Sequence, residues 1–176
     1  MEIINRVANS KLITFDLEEI YPQGERLILD ISQWLHEGFV LREKEFRKHL
    51  ETHNWEQYQG KYIALTCSSD AIIPAWAFML VATYLQPFAR KTVIGELETL
   101  ETAIFSDVLS QLDEAEYADK PIIIKGCSRL PVPKNAYLLL IEKLQPVAKS
   151  LFFGEACSSV PLFKKKKPVK TKIKSE

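Results

Sequence analysis

Residues 61–97, KYIALTCSSDAIIPAWAFMLVATYLQPFARKTVIGEL, read as strand, helix and strand in succession. Tyr62–Thr66 is a short apolar run, too brief for a helix and rich in strand-forming residues. A nearly all-apolar stretch from about Pro74 to Leu85 predicts a helix with proline at its start. Thr92–Ile94 is the next strand, ended by Gly95. The alternation continues outward. Glu96 to Leu112 predicts a helix with Leu97, Leu100, Ile104, Val108 and Leu112 on one face. Pro121–Lys125 is a third strand ended by Gly126, Asn135 to Leu144 a short helix, and Ala148–Phe153 a fourth strand ended by Gly154. Strands alternating with helices at this spacing are the sequence form of βαβ units. The expected fold class is therefore α/β, a three-layer sandwich with a mostly parallel sheet covered on both faces. The helix from Pro74 is apolar all round, which predicts that it is sandwiched between the sheet and another element. No internal repeat beyond the βα alternation stands out.

The N-terminal third is mixed, and it predicts an α+β segment. Lys11 to Leu17 and Arg26 to Ile31 read as short strands separated by the turn at Pro22–Gly24. Leu41 to His53 is an amphipathic helix with Leu41, Phe46 and Leu50 as its apolar stripe, and Trp55 and Tyr58 anchor its end. The expected organisation is a single α/β domain over residues 1–163. Residues 1–60 pack on the 61–163 core, and residues 164–176 form a disordered lysine-rich tail.

Composition bounds the class. The chain has 176 residues, 47% hydrophobic and 26% charged, which is the composition of a globular protein. The longest apolar run, Ala71 to Leu85, is too short to span a bilayer and contains Pro74. Met1 to Ser10 lacks the apolar core of a signal peptide, so the expected location is cytoplasmic, with reduced thiols. The net charge of zero is a cancellation. Residues 164–176 hold seven lysines and one glutamate, leaving 16 basic and 22 acidic residues in 1–163. An acidic body argues against nucleic acid as its partner. The tail lacks arginine and interleaved aromatics, which argues against sequence-specific nucleic-acid binding. It reads first as a solubilising tail, and otherwise as a contact for RNA, anionic lipid or an acidic partner.

Cys67, Cys127 and Cys157 each follow a predicted strand, and each is followed by serine. In one parallel sheet the carboxyl ends of the strands share an edge, which is where open α/β sheets bind ligands. The three thiols are therefore expected to meet. Three thiolates make a metal site in need of a fourth ligand, with Asp70, Glu96 and Glu155 as candidates. Soft thiolates select zinc, copper(I) or an iron–sulfur cluster over magnesium or calcium. The plainer alternative is that each cysteine is a small buried hydrophobe at a strand end. His49 and His53 lie four apart without the acidic residue of a zinc-protease motif, and they read as a solvated face; His36 reads as a boundary residue. The acidic segments Asp16–Glu19 and Glu96–Glu101 read as exposed faces, and Pro131–Pro133 as a helix-initiating turn. None of the six glycines forms a phosphate-binding loop, which argues against a dinucleotide or P-loop enzyme. No histidine lies in Lys61–Leu162 to activate a cysteine, so the pattern leans away from an enzyme.

Four segments together resemble a bacterial family, the domain of unknown function DUF2480. They are Asn5-Arg6-Val7-Ala8, the run from Thr66-Cys67-Ser68-Ser69-Asp70 to Ala77, Lys125-Gly126-Cys127, and the run from Gly154-Glu155-Ala156-Cys157 to Leu162. The resemblance supplies no catalytic residues. It does imply a setting, because members tend to lie near genes for SUF-type iron–sulfur assembly. The leading expectation is thus a metal- or iron–sulfur-binding protein accessory to cluster assembly or trafficking. It would hold zinc or an Fe–S cluster on Cys67, Cys127 and Cys157 with Asp70, Glu96 or Glu155, and its partners would be iron–sulfur assembly proteins or a second copy of the chain. The alternatives are a thiol enzyme or persulfide carrier, and a non-catalytic interaction module whose cysteines belong to the core.

Overall fold

The computed structural model describes residues 12–126, 129–155 and 157–166. In chain order the elements are β1 (Ile13–Phe15), β2 (Arg26–Asp30), α1 (Glu43–Thr52), β3 (Tyr62–Thr66), α2 (Ala75–Leu85), β4 (Lys91–Ile94), α3 (Leu97–Ser110), β5 (Pro121–Ile124), α4 (Lys134–Leu144), β6 (Ser150–Glu155) and β7 (Ser158–Lys164), with 3-10 turns at Ile31–Trp34, Glu56–Tyr58 and Glu114–Tyr117. The fold is α/β, as the alternation predicts.

The strands do not form one sheet. They divide into a three-stranded sheet ordered β2-β3-β4 and a four-stranded sheet ordered β1-β5-β6-β7. All neighbours pair in parallel except β6 and β7, which are antiparallel. The chain accordingly separates into two compact units, Tyr21–Ser110 and Met1–Ile20 with Gln111–Glu176. The physical reason lies in α3. Its Leu100 and Ile104 pack with Tyr62, Ala64 and Val93, so α3 closes the second face of the sheet it has just left.

The Tyr21–Ser110 unit is three-layered about β3. Tyr62 and Ala64 face α3, whereas Ile63 and Leu65 join Phe46 of α1 and Ala77, Val81 and Leu85 of α2 in the larger core. Alternate β3 residues therefore serve opposite faces, which is why the strand reads as continuously apolar. Two expectations about the helices change. α2 buries only Ala77, Val81 and Leu85, while Met79 on its outer side is 67% exposed, so it is not sandwiched. The buried stripe of α3 is Leu100, Glu101, Ile104, Phe105 and Leu109, rotated from the stripe through Leu97 and Val108. That rotation places Glu101 in the interior. Its Oε1 accepts hydrogen bonds from the Arg26 Nε (2.8 Å) and the Tyr21 hydroxyl (2.8 Å). A buried carboxylate needs such partners.

The second unit has a strand that the sequence reading does not contain. β7 folds back on β6, and Glu155 pairs with Ser158 across the turn. It continues to Lys164, with the Lys165 N–H donating to the Lys149 carbonyl (2.9 Å), so the ordered chain runs past the expected start of the tail. Residues 167–176, the remainder of that tail, lie outside the described residues.

The structure also shows an internal repeat. In sequence, residues 56–90 align with residues 115–149 without a gap. The buried sets Ala77, Val81, Leu85 and Ala136, Leu140, Leu144 correspond position by position, and Gln86-Pro87 matches Gln145-Pro146. The registers agree as well: Tyr62 pairs with Lys91 as Pro121 pairs with Ser150. The Arg90 N–H donates to the Lys61 carbonyl as that of Lys149 does to Lys120. The preceding strands repeat too, with Leu29 beside Leu65 and Phe15 beside Ile124. Each is followed by an aspartate, Asp30 or Asp16. Scattered identities carry this repeat, which is why hydrophobic alternation alone does not expose it.

Candidate functional site

The carboxyl ends of β2 and β3 are locked together by Asp30. Its Oδ1 accepts from the N–H groups of Ser32 (2.9 Å) and Ser68 (3.1 Å), and its Oδ2 accepts from the Ser68 hydroxyl (2.5 Å). The Ser32 and Ser68 hydroxyls are themselves 3.1 Å apart. Burial pushes the Asp30 carboxyl up, but the hydrogen bonds from Ser68 and Ser32 outweigh it and bring it down to about 2. A carboxylate so firmly ionised is a poor general base. Its work is to hold the loop after β3 against the turn after β2.

That loop forms one wall of a wide groove of about 1130 Å³. Ser32, Ser68 and Ser69 are among its lining hydroxyls, and Phe39, Ile72 and Trp76 among its apolar surfaces. Phe39 is 64% and Ile72 95% exposed. Among the described residues, the lining includes the carboxylates of Asp70 and Glu43 and neither lysine nor arginine. Glu43 is engaged by Arg47 of the next turn of α1 (2.9 Å), whose guanidinium also lies 5.8 Å from the Trp76 ring centroid. Asp70, exposed, gives the groove its acidic character.

In the other unit Asp16, the counterpart of Asp30, accepts from the Glu18 N–H (2.9 Å) and from Lys125 Nζ (2.6 Å). Burial raises the Asp16 carboxyl, but the Lys125 and Glu18 bonds together leave it below its usual range. The Asp16 hydrogen bond, with Glu18 and Glu155 nearby, holds the Lys125 ammonium above its usual value. The Glu18 carboxylate accepts backbone N–H groups of Arg129 and Leu130 in the loop after β5. The Asp16–Glu19 segment is therefore only partly an exposed face: Glu19 is exposed, but the Asp16 side chain is only 11% exposed.

The sequence-derived ligand candidates distribute as follows. Cys67 follows β3, packs against the larger core of its unit, and donates its S–H to the Ser69 carbonyl (3.7 Å). Asp70 and Glu96 belong to the same sheet edge, after β3 and β4. Glu155 and Cys157 lie at the β6–β7 hairpin of the other sheet, Cys157 exposed. The premise of a single edge fails because there are two sheets. Cys127 lies outside the described residues. Among the described residues, no three His, Cys, Asp or Glu side chains gather as they would to hold a metal ion. His53 is not on a solvated face: it stacks on Tyr58, meets Trp34 and Trp55 edge-on, and its Nε2 is 2.9 Å from the Tyr58 hydroxyl. Sequence reasoning missed Asp30, Ser32 and the groove. The available signal was an aspartate one residue before the end of the predicted strand Arg26 to Ile31, with a serine two residues on, the pattern of an Asx turn.

An α/β scaffold with an open groove beyond its strand ends is the class of protein these features define. The model of the family described as a protein of unknown function, DUF2480, matches residues 1–165, and the chain belongs to that family. No curated protein and no solved structure matches it. Among the described residues, no helix is long and apolar enough to cross a membrane.

Proposed function

We propose that this chain is a non-catalytic binding module whose working surface is the groove between the Ser32–Leu41 turn and the loop after β3. Its ligand is an extended peptide segment carrying basic and apolar residues. The observation that carries this reading is the lining, which among the described residues presents exposed Phe39 and Ile72 and the Asp70 carboxylate and no basic residue. Small-molecule sites are enclosed and bury most of their ligand, whereas this groove is wide and open. Isolated exposed apolar residues are ordinary, but several rimming one groove mark an interaction site. The firmly ionised Asp30 favours a structural role for the Ser68–Asp30 pair. An array of extended basic peptides with apolar residues at alternate positions tests the reading. Binding is expected to the wild type and to fall with Ile72→Asp and Phe39→Ser. An array with no binder overturns it.

A second reading is metal or iron–sulfur binding through cysteine thiolates in the service of cluster assembly; what supports it is the soft donor chemistry of Cys67, Cys127 and Cys157, of which Cys157 is exposed. The donor set suits zinc or a cluster. Anaerobic purification followed by analysis for iron, zinc and labile sulfide tests it, and a metal-free protein with reduced thiols overturns it.

A further inference from the structure

The groove needs an occupant whose chemistry is the inverse of its own. This chain contains one. Residues 167–176 read KPVKTKIKSE, in which Val169, Thr171 and Ile173 alternate with Lys170, Lys172 and Lys174. An extended segment with this period presents apolar groups on one side and ammonium groups on the other. The first side suits Phe39, Ile72 and Trp76; the second suits Asp70 and the acidic body of residues 1–163. The described residues run to Lys166, just past β7, and the ten residues 167–176 can reach about 33 Å when extended.

We infer that the groove holds residues 167–176 of a second copy of this chain, so that two copies associate by exchange of their C-terminal segments. The inference rests on the peptide-binding reading of the groove. It goes further by naming the segment and the oligomer that results. Two such engagements per dimer reinforce one another, because the second forms within an already tethered pair. Association through ammonium and carboxylate groups at an exposed groove also weakens with salt.

Mixing two full-length variants tests the exchange. One carries Lys170→Glu, Lys172→Glu and Lys174→Glu with the groove intact. The other carries Asp70→Lys and Ile72→Asp with the C-terminal segment intact, at two exposed positions that the core does not need. Sedimentation should show the wild type dimerising with concentration, each variant alone monomeric, and the mixture associating, because one supplies the groove and the other the segment. The free peptide KPVKTKIKSE should bind the first variant, and adding Asp70→Asn to that variant should weaken the binding about tenfold, as expected for one lost charge contact worth about 1.4 kcal/mol. A wild type that stays monomeric overturns the inference, as does a mixture that does not associate. If other basic peptides bind the groove while this one does not, the exchange falls and the peptide-binding reading stands. If none binds, both fall.

Discussion

Asp30 and Ser68 are joined twice: the Ser68 N–H reaches Asp30 Oδ1 at 3.1 Å and its hydroxyl reaches Oδ2 at 2.5 Å. Asp30 ends β2 and Ser68 lies two residues past the end of the neighbouring β3, so this pair fixes where the loop after β3 leaves the sheet. Removing the hydroxyl leaves a carboxylate short of one donor. Ser68→Ala should cost about 0.5–1.5 kcal/mol of unfolding free energy, the net worth of a hydrogen bond at an exposed site where water can replace the lost donor. Asp30→Ala should cost more, since it also strands the Ser32 and Ser68 N–H groups. Both are read by denaturant unfolding, and an unchanged midpoint for Ser68→Ala contradicts the assignment.

The same pair predicts a pH dependence. The Asp30 carboxyl lies at about 2 in the fold against an ordinary 3.8. A group with a depressed folded pKa contributes stability above its unfolded value and loses it as pH falls through the folded one. Asp16 is shifted in the same direction. Stability should therefore decline between about pH 4 and pH 2. Asp30→Asn should lower stability at neutral pH and flatten that decline, measured as the unfolding midpoint against pH.

Glu101 offers a sharper contrast. It is 5% exposed and bonded to Arg26 and Tyr21, and the Arg26 guanidinium lies 4.4 Å from the Tyr21 ring centroid and 4.8 Å from that of Tyr62. Burial and the Glu101 carboxylate push the Tyr21 hydroxyl up to about 12. Glu101→Leu leaves a guanidinium without its counter-charge and should cost about 3–5 kcal/mol. The double replacement Arg26→Met with Glu101→Leu should recover most of that loss, because an apolar pair of similar volume replaces a buried ion pair at little cost. Equal instability of the single and double variants would show that the pair is not coupled.

Glu101 also marks where the sequence stops being legible. The regular elements were readable because each carries its own period: Tyr62–Thr66 as a strand and Pro74–Leu85 as a helix need only local apolar patterning. Which face of α3 is buried was not readable, since the outcome turned on Arg26, far away in sequence, making room for an acid inside. The number of sheets was equally hidden. A βα alternation has the same pattern whether α3 leads to a fourth parallel strand or closes its own sheet. β7 escaped because Ser158–Lys164 is exposed along most of its length and contains Pro161, so it lacks the alternation of a half-buried strand. Of the candidate site, Asp70 was legible as a polar residue past a strand end. Asp30 was not, because its importance comes from a partner, Ser68, in the loop after the neighbouring strand.

The internal repeat predicts what Gly60 will tolerate. Gly60 has φ +71° and its counterpart Asp119 has φ +53°; their N–H groups donate to the equivalent carbonyls of Phe88 (2.8 Å) and Val147 (2.9 Å). A Cβ added at Gly60 meets nothing within 4 Å, so the obstacle to a side chain is the left-handed backbone alone. That conformation costs an ordinary L-residue about 1–2 kcal/mol, and Asn and Asp less, because their short polar side chains bond locally. β-Branched residues are the worst accommodated. Gly60→Asn should therefore lose less than about 1 kcal/mol, while Gly60→Val should lose at least about 2 kcal/mol. In the other copy, Asp119→Val should be costly in the same way, whereas Asp119→Gly should be nearly neutral once the exposed ion pair with Lys165 (3.0 Å) is discounted. Equal losses for Gly60→Asn and Gly60→Val in thermal unfolding would show that the backbone at this turn is not held in the left-handed region, and would break the correspondence between the two turns.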